Sequence, residues 1–160
     1  MNRFLKIINI VIMVTVVSYA GQIKCTDAVI KEGIITSIKD ALSEDIKWTK
    51  RFMQTLELEN KQKDPKYIEY QKEFVGLSAI RIDNMDMIVR ELQPKDDMEK
   101  FRKDILEKDG KFLYCEYKAK DKTTGKYLTS KYLSRKYKLT DKESWQKMVL
   151  TKSEKGWYDQ

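Results

Sequence analysis

The chain is expected to adopt an α+β fold, with N-terminal helices packed on one face of a C-terminal antiparallel β-meander of three to four strands. Apolar residues recur at helical spacing between Thr26 and Asp109 and alternate from Lys111 onward, and aromatic and β-branched residues are concentrated in the last fifty positions. Helices first and consecutive strands afterwards favour this architecture over an all-helical bundle with a loose β tail. The boundaries are residues 1–20 as a leader and 21–160 as one domain, helical over 26–109 and strand-like over 111–158.

The leader, Met1 to Ala20, has the form of a cleaved signal peptide. Arg3 and Lys6 make its positive end, Ile7 to Val17 an apolar run broken by Asn9 and Thr15, and Ser18-Tyr19-Ala20 a small-residue exit. The alternative, an N-terminal membrane anchor, needs about 20 apolar residues to cross the bilayer. Ile7 to Ala20 is only fourteen residues long. Lipidation at Cys25 fits poorly, since Gln22-Ile23-Lys24 precedes it instead of small residues. Export to the periplasm or the medium is therefore expected. The remaining 140 residues suit one hydrophobic core.

The first helix follows a cap at Thr26 or Asp27, with Ile30, Ile34, Ile38, Leu42 and Ile46 every four residues and Trp48, Phe52 and Leu56 continuing the stripe. Gly33 weakens its first turns by about 1 kcal/mol relative to alanine. The second helix opens at Asp64-Pro65 and closes before Pro94. Within it Ile68, Val75, Ile82 and Val89 repeat every seven residues, interleaved with Ser78, Met85 and Leu92. That face is expected to pack on the first helix, with a dimer seam as its rival. A third helix is capped by Asp96 or Asp97, carries Met98, Phe101 and Ile105 on one face, and stops at Gly110.

Strands follow. Leu113, Cys115, Tyr117 and Ala119 alternate with Phe112, Tyr114, Glu116 and Lys118, and the polar run Asp121 to Lys126 reverses the chain at Thr124-Gly125. Tyr127 to Leu139 forms the second strand and Trp145 to Thr151 the third, with Trp145 and Val149 facing the core and Met148 and Leu150 facing away. After a turn through Gly156, Trp157 and Tyr158 close the open end of the domain, the alternative being that they line a ligand mouth. This order loosely resembles the nuclear transport factor-like and cystatin-like cone folds, a topological likeness that transfers no residue or activity.

In an oxidising compartment two cysteines pair more readily than they catalyse or bind metal. A Cys25–Cys115 disulfide is expected, removing roughly 4 to 5 kcal/mol of unfolded-state freedom. Charge is as uneven as periodicity: the whole chain carries +7, and loss of Arg3 and Lys6 leaves +5. Lys111 to Lys138 holds nine basic residues against Glu116 and Asp121, a local +7. Tyr114, Tyr117, Tyr127, Tyr132 and Tyr137 lie among these lysines, offering ring area to an anionic partner. The same pattern also suits the open face of a sheet whose edges are guarded by lysine.

Catalytic chemistry is poorly represented. The chain has no histidine, which removes the commonest general base and most zinc sites. Ser144-Trp145-Gln146-Lys147 matches S-x-x-K and Lys122-Thr123-Thr124-Gly125 approaches K-T-G, but in the wrong order and in too short a chain for a penicillin-interacting serine enzyme. Asp83 with Asp86, and Glu57 with Glu59, read as solvated surface among 25 acids.

The expectation is an exported, non-catalytic accessory or inhibitor-type protein. It recognises a macromolecule through Lys120, Lys122, Lys126, Tyr127 and Lys131, and needs no cofactor or metal. The partner class is a protein or an anionic envelope component; nucleic acid is the weakest candidate, peripheral membrane contact stays open, and so does homo-oligomerisation. The alternatives are a small-ligand carrier with its pocket between helices and sheet, and an envelope structural protein that self-associates through Ile68 to Leu92.

Overall fold

A computed structural model describes residues 23–130, 137–153 and 156–159. The expected leader lies outside the described residues, as do Lys131 and Tyr132. Among the described residues, three helices and a six-stranded antiparallel sheet make an α+β protein, with two helices ahead of the first strand and the third between the first and second strands.

Helix α1, Ala28–Leu58, starts at Asp27 and buries Ile30, Ile34, Ile38, Leu42 and Leu56 along the side expected from their spacing. Helix α2, Pro65–Ser78, is capped by Asp64, whose side chain accepts from the Lys66 amide, with proline at the first position. The two helices pack together, and Trp48, Phe52 and Tyr70 form a ring cluster between them with centroids 4.6 to 5.8 Å apart.

The expected continuation of the second helix to Leu92 is corrected. Helix α2 ends at Ser78, a short 3-10 turn covers Ile82–Asn84, and Met85–Glu91 is strand β1. Gly76 weakens the last turn, and Asp83 and Asn84 favour turns because their side chains compete for backbone groups. Met85 and Met87 then alternate inward, and seven residues pair with β2, an arrangement that buries more than an isolated helix end. The heptad seam from Ile68 to Leu92 therefore does not exist as one helical face. The expected helical half, 26–109, likewise contains a strand.

Strand β2, Phe112–Asp121, is the axis of the sheet. Along one edge β1 pairs from Glu91 opposite Cys115 to Met85 opposite Asp121. The other edge is shared in succession by β5, Gln146–Ser153, from Phe112 to Tyr117, and by β3, Tyr127–Ser130, at Lys120. Strand β4, Tyr137–Thr140, pairs with β3, and β6, Gly156–Asp159, pairs with β5. The single strand expected over Tyr127 to Leu139 is thus a hairpin.

Leu113, Cys115, Tyr117 and Ala119 face α1 as their alternation requires, and Cys115 is bonded to Cys25 with the Cα atoms 5.6 Å apart. This ties the start of α1 to the middle of the sheet across 90 residues. Strand β5 has the opposite parity to that expected. Met148 and Leu150 enter the core, while Val149, opposite Tyr114, and Trp145 belong to the outer face. Register with β2 decides this, because Cys115 pairs with Met148 and must point inward to reach Cys25.

Helix α1 crosses β6 at Gly33, where a Cβ would stand 2.3 Å from the Trp157 carbonyl oxygen. Trp157 is buried in the core cluster, and the Asp159 amide donates to Ser37 Oγ at 2.8 Å. Trp157 accordingly fills the core against α1. Helix α3, Asp97–Glu107, links β1 to β2 and lies against the outer side of the sheet.

Candidate functional site

The turn between β2 and β3 is fixed by one carboxylate. Asp121 Oδ1 accepts from the Thr123 amide at 3.0 Å, the Thr124 amide at 2.7 Å and Thr124 Oγ1 at 3.0 Å. These bonds, the Thr124 amide foremost, hold the Asp121 carboxyl below its usual pKa. Gly125 takes a left-handed φ of 71°, which lets its amide return to the Asp121 carbonyl at 2.9 Å. Asn84 anchors the turn from outside: its carbonyl accepts from the Lys122 amide and its side chain donates to Thr123 Oγ1.

This frame sorts the residues expected to meet a partner. Lys120, Lys122 and Lys126 are exposed together at one end of the sheet. Lys122 Nζ lies 3.5 Å from Asp86, an exposed pair worth little. Lys120 Nζ sits 5.6 Å from the Tyr127 ring, and Lys126 has no charged partner among the described residues. Tyr127 is half-buried and donates to Glu143 Oε2 at 3.1 Å, while Lys118 reaches Glu143 Oε1 at 2.5 Å. Lys118 first and Tyr127 second lower the Glu143 pKa. Lys131 lies outside the described residues.

The tyrosines divide differently from expectation. Tyr114, Tyr117 and Tyr137 are buried, Tyr117 and Tyr137 in the core and Tyr114 on the outer face beside α3, so they supply packing rather than contact area. Tyr117 is enclosed enough that burial, followed by its Tyr137 neighbour, holds its hydroxyl well above the usual tyrosine pKa. Only Tyr127 among the described members of the set is open to a partner.

Beside the hairpin, the outer face carries a cluster that sequence reasoning missed. Arg90 Nε and Nη2 meet Glu116 Oε2 at 2.9 and 2.7 Å, and the Glu116 side chain is only 3 % exposed. The guanidinium lies 3.7 Å from the Trp145 ring centroid, with Lys118 Nζ 5.0 Å away on the same indole. Arg90, Glu116 and Lys147 form one cross-strand row by register. The sequence pattern hides this cluster, because the heptad spacing puts Arg90 on a helix and strand alternation puts Trp145 in the core.

Among the described residues, a surface cleft lies on each side of the sheet. One of about 260 Å³ runs between α3 and the sheet, bordered by Arg102, Ile105, Leu106, Tyr114 and Val149. The other, about 400 Å³, lies between α1 and the 3-10 turn, with Leu42, Ile46 and Ile80 inside and Lys39 and Arg81 at its rim. Neither is the pocket expected near Trp157. Among the described residues no group of histidine, cysteine, aspartate and glutamate could hold a metal, and no helix is long and apolar enough to cross a membrane.

The chain matches no protein-family model, no curated protein and no solved structure.

Proposed function

We propose that this protein is an exported, non-catalytic accessory or inhibitor-type module whose β2–β3 hairpin recognises an acidic surface, on a protein or an envelope polymer. The observation that carries this reading is the pre-set turn. Asp121 and Asn84 fix the backbone, so Lys120 and Lys126 are presented beside Tyr127 with little ordering left to a binding event. The surplus of lysine at a rigid end raises the encounter rate with an anionic partner. The disulfide and the absence, among the described residues, of a membrane-crossing helix are compatible with export.

The test is a pull-down from the protein's native envelope with wild-type chain and with Lys120→Glu/Lys126→Glu, at low and high salt. Both side chains are exposed, so the variant should keep the wild-type melting profile. Loss of the captured partner in the variant and at high salt supports the reading. A normally folded variant that keeps every partner overturns it.

A further inference from the structure

Helix α3 rests on the sheet through Glu99, Lys103, Leu106 and Glu107, while Met98 and Phe101 stand in solvent and Ile105, at the edge of the cleft beside the sheet, stays more than half exposed. Glu99 pairs with Lys147, Lys103 Nζ reaches the Leu92 carbonyl at 3.4 Å, and Glu107 accepts from the Tyr114 amide at 3.0 Å. Met98, Phe101 and Ile105 remain 61, 60 and 55 % exposed, a stripe at the i, i+3, i+7 spacing of a helix-pairing seam. An amphipathic helix in a lone domain turns such a stripe inward. Here the sheet-side bonds and the capped N-terminus, where Asp96 accepts from the Glu99 amide at 2.7 Å and Glu99 accepts from the Lys95 amide at 2.8 Å, hold it outward.

We infer that this stripe is an interface for a second copy of the chain, with the two α3 helices parallel about a two-fold axis. The charges beside the stripe choose the occupant and its direction. With Met98 and Ile105 at a and Phe101 at d, Arg102 is at e and Asp97 and Asp104 are at g. In a parallel pair each Asp97 faces Arg102 of the second copy, and the two-fold axis makes this contact twice. Neither Asp97 nor Arg102 has an ion-pair partner among the described residues. An antiparallel pair would instead oppose Asp97 and Asp104. An anionic lipid surface is disfavoured because both aspartates border the stripe it would have to accept. The association is independent of the hairpin, which lies at the other end of β2.

Two to three helical turns bury less than the roughly 1,200 Å² of standard complexes, so the dimer is weak, with Kd on the order of 10 to 100 μM. Sedimentation of the purified, disulfide-bonded protein from a few micromolar to about 1 mM is the test. We expect monomer to give way to dimer for the wild type. Phe101→Ser should remain monomeric with unchanged circular dichroism, since the ring it removes is exposed. Asp97→Arg or Arg102→Asp alone should weaken association by about tenfold, and the double exchange should restore it. A wild type that stays monomeric throughout overturns the proposal, whether or not it co-sediments with anionic vesicles. Strengthening by Asp97→Arg alone overturns the parallel arrangement in favour of the antiparallel one.

Discussion

Replacing Gly33 with alanine sets two opposed effects against each other, and the structure decides between them. In an isolated helix the substitution would stabilise by about 1 kcal/mol, because glycine has more backbone freedom to lose. In this protein the new Cβ would stand 2.3 Å from the Trp157 carbonyl oxygen and 3.0 Å from its carbon, whereas ordinary contact begins near 3.4 Å. The obstacle is backbone, so no rotamer change relieves it. Strand β6 must move by about 1 Å, against its pairing with β5 and the bond from the Asp159 amide to Ser37. Overpacking of this kind costs about 1 to 3 kcal/mol, and the upper end applies where a paired strand is displaced. Gly33→Ala should therefore lose about 2 kcal/mol net, or roughly 6 °C in Tm for a domain of this size. Urea unfolding followed by tryptophan fluorescence and circular dichroism measures it. Gly76→Ala is the control: no atom lies within 4 Å of its Cβ position, so a gain of up to about 1 kcal/mol is expected. A Gly33→Ala protein as stable as wild type would refute the close crossing of α1 over β6.

Reduction of Cys25–Cys115 should lower stability by about 3 to 5 kcal/mol, because the bond closes a span of 90 residues; an unchanged urea midpoint in reductant would contradict this. Arg90→Ala leaves the 3 % exposed Glu116 side chain without its cation. The loss should be about 2 to 3 kcal/mol, below the roughly 3 to 5 kcal/mol of a fully buried pair, since Arg90 itself is 40 % exposed. Trp145 emission should shift at the same time, and a change under about 0.5 kcal/mol would remove the pair from the account. Tyr117 adds an alkaline dependence. Its folded pKa is raised, so its contribution is complete below pH about 10, the unfolded value, and is lost as pH rises from there through the folded pKa. Unfolding free energies between pH 8 and 11 should fall less steeply for Tyr117→Phe than for wild type, and equal slopes would contradict the assignment.

Much of this arrangement is legible from local pattern. The four-residue rhythm of Ile30 to Leu42 gives the buried side of α1, and Asp64-Pro65 gives the start of α2. Strand β1 is not legible in the same way, because Ile82, Met85, Val89 and Leu92 also fall on a heptad and only pairing with β2 distinguishes the two readings. The facing of β5 depends on register, which no single strand contains; once Cys115 is tied to Cys25, Met148 must follow it inward and Trp145 is left to stack on Arg90. At the hairpin, the turn and its lysines follow from composition, whereas the fate of the tyrosines does not. Tyr117 and Tyr137 meet in the core because β4 folds back on β3, a reversal outside what Tyr127 to Leu139 shows as a linear run. Gly33 was visible only as a local weakness of α1, and its purpose appears when Trp157 arrives from more than a hundred residues away.

Whether the domain works outside the cytoplasm decides which partners it can meet, and mass spectrometry of the protein recovered from its own cells tests this directly. A chain beginning at Gly21, with Cys25 and Cys115 linked, is the result expected. A chain that retains Met1 and carries two free thiols would contradict it.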